Sequence, residues 1–568
     1  MFSFSDPDHA PACEQKRRII ADKVALYAKV HTKLLTDEDD EILKFSLAEL
    51  VRECSCESLS PSAVLDVYAK QCVAAHAATN CLADLMFDQA LKHYKPERPL
   101  SGVPISLKDC IDIAGYDTTL GYSSRANRPV TTSAPIVRLL QDAGALLHVK
   151  TTVPTGLLSF ETSSDLFGLT TNPYNPKFSP GASTGGGGAL LAYRGSKIEI
   201  ASDLGGSVRF PAVYCGVYGM KATSGRFPST GCGTSVPGLE GIQTTSPMAN
   251  NLDDLIEFWE RVVSMKPWEY DQTCVPIPWR SVDFVLAGRK PRWGVIWNDG
   301  LIRPTPACLR ALKCAVDTLR EQGYEVFDFD APSPVEGLKI GFPLAFADGG
   351  QCKFGVSLLA PLRRGEVINP AISLLVNTCC LPSIVRNAVA SYIRWFSRPA
   401  GRNDVFADLL ACLGRSTASE ERALIVRRDE YRDKWREAMR AQGIDFVMSV
   451  PHALPPMPKD GTGVATLVSA NYAFLYNILD YPAGVVPVTF VDSTLDALPE
   501  DHNTNTWPTL NDAERAVWSL YDATAMDGLP LGVQIAGGRF EEEKVLEGMK
   551  LLDTALRDAS RPFVPKEF

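Results

Sequence analysis

Histidine is scarce in this chain of 568 residues: there are seven, and only His452 and His502 lie downstream of the Ser- and Gly-rich stretch at 179–191. A hydrolase built on a Ser-His pair therefore has almost no base to choose from. Paired thiols are missing as well. Fifteen cysteines are scattered without a single C-x-x-C, and the close pairs are Cys54-Ser-Cys56 and the adjacent Cys379-Cys380. That spacing argues against zinc ribbons and dithiol redox motifs, and an odd, dispersed count fits reduced thiols in a cytoplasmic protein. No uncharged apolar run reaches the roughly 18 residues of a membrane-spanning helix. The N-terminus, MFSFSDPDHAPACEQKRRII, has no basic segment followed by an apolar one and does not read as a secretory signal. There is no basic excess either. A net charge of −10 argues against a nucleic-acid partner or a general anionic-membrane binder. No repeat and no low-complexity linker divides the chain, which predicts one large domain with insertions.

What is present is a core-forming composition, with 45% apolar and 22% charged residues. Up to about Lys95 the pattern is helical, and Ser60-Pro61 reads as the N-cap and first residue of an amphipathic run from Ser62 to Ala77. From Leu100 short apolar stretches alternate with helical ones. GVPISL (102–107) and ALLHV (145–149) read as buried strands, joined by a helix APIVRLLQDA that Ser133 would cap and Gly144 would stop. RWGVIW (292–297), DFVMSV (445–450), PAGVVPVTF (482–490) and LGVQIAG (531–537) continue the texture, and the Asp-, Asn- and Thr-rich span 492–527 reads as a surface excursion. Strands alternating with helices predict an α/β fold.

The stretch SPGASTGGGGALL (179–191) admits three readings. A phosphate cradle needs a Lys after the glycines, and Ala189-Leu190-Leu191 follow instead. Gly181-Ala182-Ser183-Thr184-Gly185 satisfies the G-x-S-x-G nucleophile elbow, but Pro173, Pro176 and Pro180 occupy the place of the strand that must lead into it. His452, in VPHALPP, reads first as a structural or surface residue. The third reading is a plain Ser/Gly loop. A second site argues for more. In DLGGSVRFP (203–211) two glycines precede Ser207, a pattern that lets backbone N–H groups converge on a developing oxyanion. The missing base has one candidate, Lys108 in GVPISLKDC, at the end of an apolar strand where desolvation disfavours the ammonium form. On its own, a lysine at a strand end reads first as a surface residue with its amine in water.

Taken together, GVPISLKD, GASTGGGG and DLGGSVRFP resemble the amidase signature family, whose members use a Ser-Ser-Lys triad. TTNPYNPKFSPG leads into the glycine stretch as in that family, and LDYPAGVVPV and GLPLGVQIAG are similar to its C-terminal strands, so the likeness covers nearly the whole chain. Within the family, KPWEYDQTCVPIPWR (266–280) is most similar to the fatty acid amide hydrolase and fungal acetamidase branches. The resemblance implies a single large α/β/α domain with a central mixed twisted sheet flanked by helices. Residues 1–95 would be a helical segment packed on it and 96–568 the catalytic domain, with catalytic motifs in 100–230 and substrate-side insertions at about 340–430.

The roles follow from the same resemblance. Ser207 would be the nucleophile. Ser183, usually on a cis peptide bond, would pass the proton between Ser207 and Lys108, the final base. The amides of Leu204, Gly205, Gly206 and Ser207 would form the oxyanion hole, Asp203 and Arg209 would brace their loop, and Leu157 would lie near the acyl pocket. An acyl-enzyme is implied without metal or organic cofactor, and homodimers are common among these relatives. The chain departs from the family's pattern at Ala182, at Thr184 beside the relay, and at Gly187, often Ser or Glu. The stretch CLPSIVRNAVASYIRWFSRPAGR (380–402) reads as a core-packed helix with basic ends, or as an amphipathic cap over an acyl channel with a peripheral membrane contact. The expected activity is hydrolysis of a carboxamide with a sizeable apolar acyl or aryl group. A small-amide hydrolase, a transamidation subunit and a non-catalytic binding protein on the same scaffold are the rival readings.

Overall fold

Eleven strands pair into one mixed sheet in a computed structural model that describes residues 8–30, 35–234, 236–284, 288–349, 358–396 and 404–568. In chain order the strands are β1 (Leu82–Leu85), β2 (Pro104–Lys108), β3 (Leu146–Thr151), β4 (Ser163–Ser164), β5 (Gly168–Leu169), β6 (Ile198–Asp203), β7 (Tyr218–Lys221), β8 (Thr244–Ala249), β9 (Arg292–Val295), β10 (Glu325–Asp328), β11 (Phe446–Ser449), β12 (Ala483–Phe490) and β13 (Pro530–Ala536). The sheet order is β1-β3-β2-β6-β8-β7-β12-β13-β11-β9-β10, while β4 and β5 form a separate small pair. β3, β2 and β6 run parallel, as do β11, β9 and β10, and antiparallel pairings join the two sets. Every residue of β2, β3, β6 and β8 is buried, so helices cover both faces and the strands show no polar alternation. This is the expected α/β architecture.

Local chemistry explains most boundaries. Ser60 Oγ accepts from the Ala63 amide (3.1 Å), Pro61 opens the helix Pro61–Thr79, and Asn80 ends it with φ 56°. That helix packs on β2 and β3, and the helix Ala10–Val30 packs on β1. Lys16 Nζ anchors the latter by donating to Asp84 Oδ2 (2.9 Å) and Asp117 Oδ2 (3.0 Å), all three side chains being buried.

Three expectations need correction. The helical reading up to Lys95 misses β1, whose four residues are all buried and so carry no period-2 signal. The helix Pro135–Asp142 has no side-chain cap, because Ser133 Oγ accepts from the Ala114 amide instead (3.0 Å). Pro135 starts that helix by itself, having no amide to satisfy. The span 492–527 is more than a surface excursion. It contains the helix Asp512–Trp518, buries Leu510 and Val517, and sends the buried Asp496 to Arg310 (2.6 Å).

The glycine stretch is not a loop either. Gly185–Ala192 is a helix, although each glycine there is about 1 kcal/mol less favourable than alanine. Close packing outweighs that cost. A Cβ at Gly185 would stand 2.2 Å from Thr162 Oγ1, one at Gly186 2.4 Å from the Thr152 amide nitrogen, and one at Gly187 2.5 Å from Glu199 Cδ. The run lets this helix seat its first turn directly against β6 and the chain after β3.

Candidate active site

Lys108 ends β2 with no solvent exposure. Its Nζ donates to Ser183 Oγ (2.7 Å), to the Ser202 carbonyl (3.0 Å) and to Ser202 Oγ (3.0 Å). No carboxylate lies within ion-pair distance of it among the described residues. Burial pushes the amine below its ordinary 10.5, partly opposed by Cys110, Asp203, Glu199 and Cys232 nearby. Ser183 follows a cis Ala182–Ser183 peptide and is buried just before the glycine helix. Thr184, between them, is also buried, and its Oγ1 has no hydrogen-bond partner, so it does not share in holding Lys108.

Ser207 lies on the loop that follows Asp203, the last residue of β6. It lines an apolar cavity together with Ala182, Leu157, Phe210 and Phe474. The structure thus brings Lys108 and Ser183 into direct contact and sets Ser207 and the residue preceding Ser183 around one space. Leu204 and Gly205 line the same space, but Gly206 departs from the expected set. Its amide donates to Asp203 Oδ1 (2.8 Å), leaving the amides of Leu204, Gly205 and Ser207 for a ligand. Asp203 Oδ2 also accepts from the Val208 amide (3.1 Å) and from Arg209 Nε (3.1 Å), and Arg209 Nη2 donates to Asp203 Oδ1 (3.0 Å). Burial would push the Asp203 carboxyl up, but Arg209 and Asn477 overcome it and hold the group well below the usual carboxylate range. Arg209 reaches onward to the Ala473 carbonyl (2.7 Å) and Gln534 Oε1 (3.1 Å), fixing the loop to β13 and to the helix Asn471–Leu479.

The apolar cavity does not end at Ser207. A second one, lined by Leu375, Phe406, Leu409 and Leu413, shares Phe342 and Leu467 with the first. Ala371, Leu374, Leu375 and Thr378 of the helix Pro370–Cys380 line this second cavity. The following helix, Ser383–Phe396, buries Ala390 but exposes Ile384 (81%), Tyr392 and Trp395 (66%), so the core-packed reading of 380–402 does not hold; residues 397–402 lie outside the described ones. No single helix among the described residues is long and apolar enough to cross a membrane. Nor does any group of three His, Cys, Asp or Glu stand ready for a metal ion among them.

His452 is buried against Phe160 and Phe210, with its imidazole pushed down to about 4 by burial and Nδ1 beside the Leu454 carbonyl (3.0 Å) and the Tyr214 hydroxyl (2.9 Å). It contacts neither serine. Sequence reasoning missed Ser202, whose signal was a hydroxyl residue directly before the DLGGS segment.

Comparison with known proteins agrees with this geometry. The sequence pattern described as Amidase matches residues 63–546. Fatty-acid amide hydrolase 1 of Sus scrofa is 31% identical over 537 residues, covering 93% of this chain and 88% of its own. An acetamidase of Aspergillus oryzae is 30% identical over 534 residues, 90% of each chain. A solved fatty acid amide hydrolase superposes with a TM-score of 0.81 at 27% identity, covering 96% of this chain and 95% of that one. This chain belongs to the amidase family and is an amide hydrolase.

Proposed function

We propose that Ser207 is the nucleophile, Ser183 the relay and Lys108 the final base of a serine amidase. The observation that carries this is the 2.7 Å contact between a wholly buried, carboxylate-free lysine and Ser183. A neutral Lys108 takes the proton of Ser183 as Ser183 takes that of Ser207, and Ser207 Oγ attacks the amide carbonyl. The amides of Leu204, Gly205 and Ser207 receive the oxyanion. The ammonium formed on Lys108 then returns its proton through Ser183 to the departing nitrogen, without which an amide is a poor leaving group. Water hydrolyses the acyl-enzyme by the same relay in reverse. Labelling by a fluorophosphonate tests the assignment: the adduct is expected on Ser207 and absent in Ser207→Ala. A folded protein that is not labelled at Ser207 sinks it.

The acyl group is apolar and sizeable on this reading, because apolar walls continue past Phe342 and Leu467 toward the helix Pro370–Cys380. Rates over a series of amides from acetamide to long acyl chains separate it from an acetamidase-type activity. A maximum at acetamide overturns it. The exposed apolar residues of Ser383–Phe396 support peripheral contact with a lipid surface, since Leu374 on the adjoining helix both faces solvent and lines the cavity. Sedimentation with phosphatidylcholine vesicles, lost in Ile384→Ser with Trp395→Ser, reads that contact. The scattered thiols support a cytoplasmic setting, and the family resemblance supports a homodimer, which light scattering measures directly.

A further inference from the structure

Glu199 is a buried carboxyl that the relay just described leaves unused. It lies in the middle of β6, where the register with β2 sets it against Ser106. Lys108 follows Ser106 by two residues, so both side chains leave the same face of the sheet. Glu199 Oε1 accepts from Thr151 Oγ1 (2.6 Å), and Thr151 is the register partner of Lys108 across β2 and β3. Glu199 Oε2 has no partner within hydrogen-bond distance among the described residues, though the Ser106 hydroxyl lies near enough to favour the carboxylate. The space for this carboxyl is made by Gly187, at which a Cβ would stand 2.5 Å from Glu199 Cδ. A buried acid with one oxygen unpartnered is costly to folding, and a glycine that clears room for it adds to the cost.

The surroundings single Glu199 out. The titratable groups that act most on Lys108 are Cys110, Asp203, Glu199 and Cys232. Burial pushes both thiols up, which keeps them neutral, and Asp203 is spent on its ion pair with Arg209 (3.0 Å). Glu199 makes no ion pair among the described residues. Its own neighbours offer little else. The glycine helix and Met248 of β8 face it without charge, Cys81 is a thiol pushed up to about 12 by burial, and the Lys197–Asp254 pair (3.0 Å) at the start of β6 is self-compensated. Burial pushes the Glu199 carboxyl up to about 7, with Ser106, Thr151 and Lys108 pulling it back.

We propose that Glu199 is a positioning residue for the relay, its carboxylate setting how readily Lys108 gives up its proton. The inference rests on Lys108 being the base proposed above. An ionised Glu199 stabilises the ammonium form, which cannot accept the proton of Ser207, whereas a protonated one leaves the amine free to be neutral. Raising the pH removes a proton from each group, and loss of one proton makes the other harder to lose, so the pair titrates as one coupled unit.

The experiment compares the pH dependence of Ser207 labelling by a fluorophosphonate, from about pH 5 to pH 10, in the wild type and Glu199→Gln. The acid limb of the variant is expected about one pH unit lower and closer to a single titration. Glu199→Asp is expected to return it toward the wild-type position. Thr151→Val removes a hydroxyl that favours the carboxylate and leaves the acid in place, so it is expected to move the limb the same way by less. An unmoved limb in Glu199→Gln, with the rate lowered equally at every pH, makes Glu199 a packing group and overturns the proposal. If that variant does not fold, an unmoved limb in Thr151→Val does the same. Absence of labelling at Ser207 in the wild type strikes instead at the relay itself.

Discussion

Two lysines one strand apart show what burial alone does not decide. Lys108 and Lys150 are both without solvent exposure, and the register of β2 and β3 sets Leu107 against Lys150 and Lys108 against Thr151. Lys150 Nζ meets Asp109 Oδ1 at 2.9 Å and donates to the Asp117 carbonyl and to Thr118 Oγ1 (3.3 Å). Lys108 is given two hydroxyls and a carbonyl but no carboxylate in contact. Lys150, held beside a carboxylate, braces a loop. A lysine facing only neutral oxygens is pushed toward the free amine, the form that the proposed base needs. The partner, more than the depth, separates structure from chemistry.

The largest expected effect tests that separation directly. Lys108→Ala should lose about 10²- to 10⁴-fold in amide hydrolysis and in Ser207 labelling, with an unchanged circular dichroism spectrum. Lys150→Met should do the reverse. It strands Asp109, which otherwise accepts from the Thr119 amide (3.2 Å) and the Thr119 hydroxyl, and should cost about 3–5 kcal/mol in denaturant unfolding. Its folded fraction should label Ser207 at the wild-type rate. Equal loss of labelling in both variants erases the distinction.

How much of this was legible beforehand depends on how chemistry is written into a chain. The motifs around Lys108, Ser183 and Ser207 could be read because a relay needs particular side chains in particular backbone settings, and each setting leaves a short contiguous signature. The strands of the sheet centre were visible as apolar runs bounded by Gly and Pro. What escaped were single residues whose meaning is tertiary. In IEIASD, Glu199 and Ser202 look like breaks in an apolar strand; only the register with β2 puts Glu199 on the face of Lys108, and only the reach of the Lys108 amine shows that Ser202 is its partner. The four glycines read as loop flexibility, whereas Thr162, Thr152 and Glu199 dictate them from distant segments. The family resemblance implies Gly206 as an oxyanion donor, and only the position of Asp203 shows its amide to be taken.

A smaller effect sharpens the comparison from the side of Lys108. Ser202→Ala removes one of its three acceptors while leaving Ser183 in place. The amine then loses orientation rather than its proton-accepting role. Labelling is expected to slow about tenfold, with stability changed by no more than about 1 kcal/mol. A loss as deep as that of Lys108→Ala would instead make Ser202 part of the proton path.

The smallest effect carries the clearest sign. Because burial lowers Lys108 from its ordinary 10.5, the folded protein binds fewer protons than the unfolded chain between the folded value and 10.5. The contribution of Lys108 to stability is therefore present above 10.5, declines as the pH falls through that window, and is flat below it. Lys108→Met removes the group and with it this decline. Relative to the wild type, the variant should gain stability between pH 10 and pH 7, measured as the shift in urea midpoint at the two values. Lys150→Met, by contrast, should lie below the wild type at both, since its defect is a buried Asp109 that has lost its ion-pair partner. If Lys108→Met is destabilised as much as Lys150→Met at pH 7, Lys108 is a charged structural residue like its neighbour, and the two lysines differ in nothing but their partners' names.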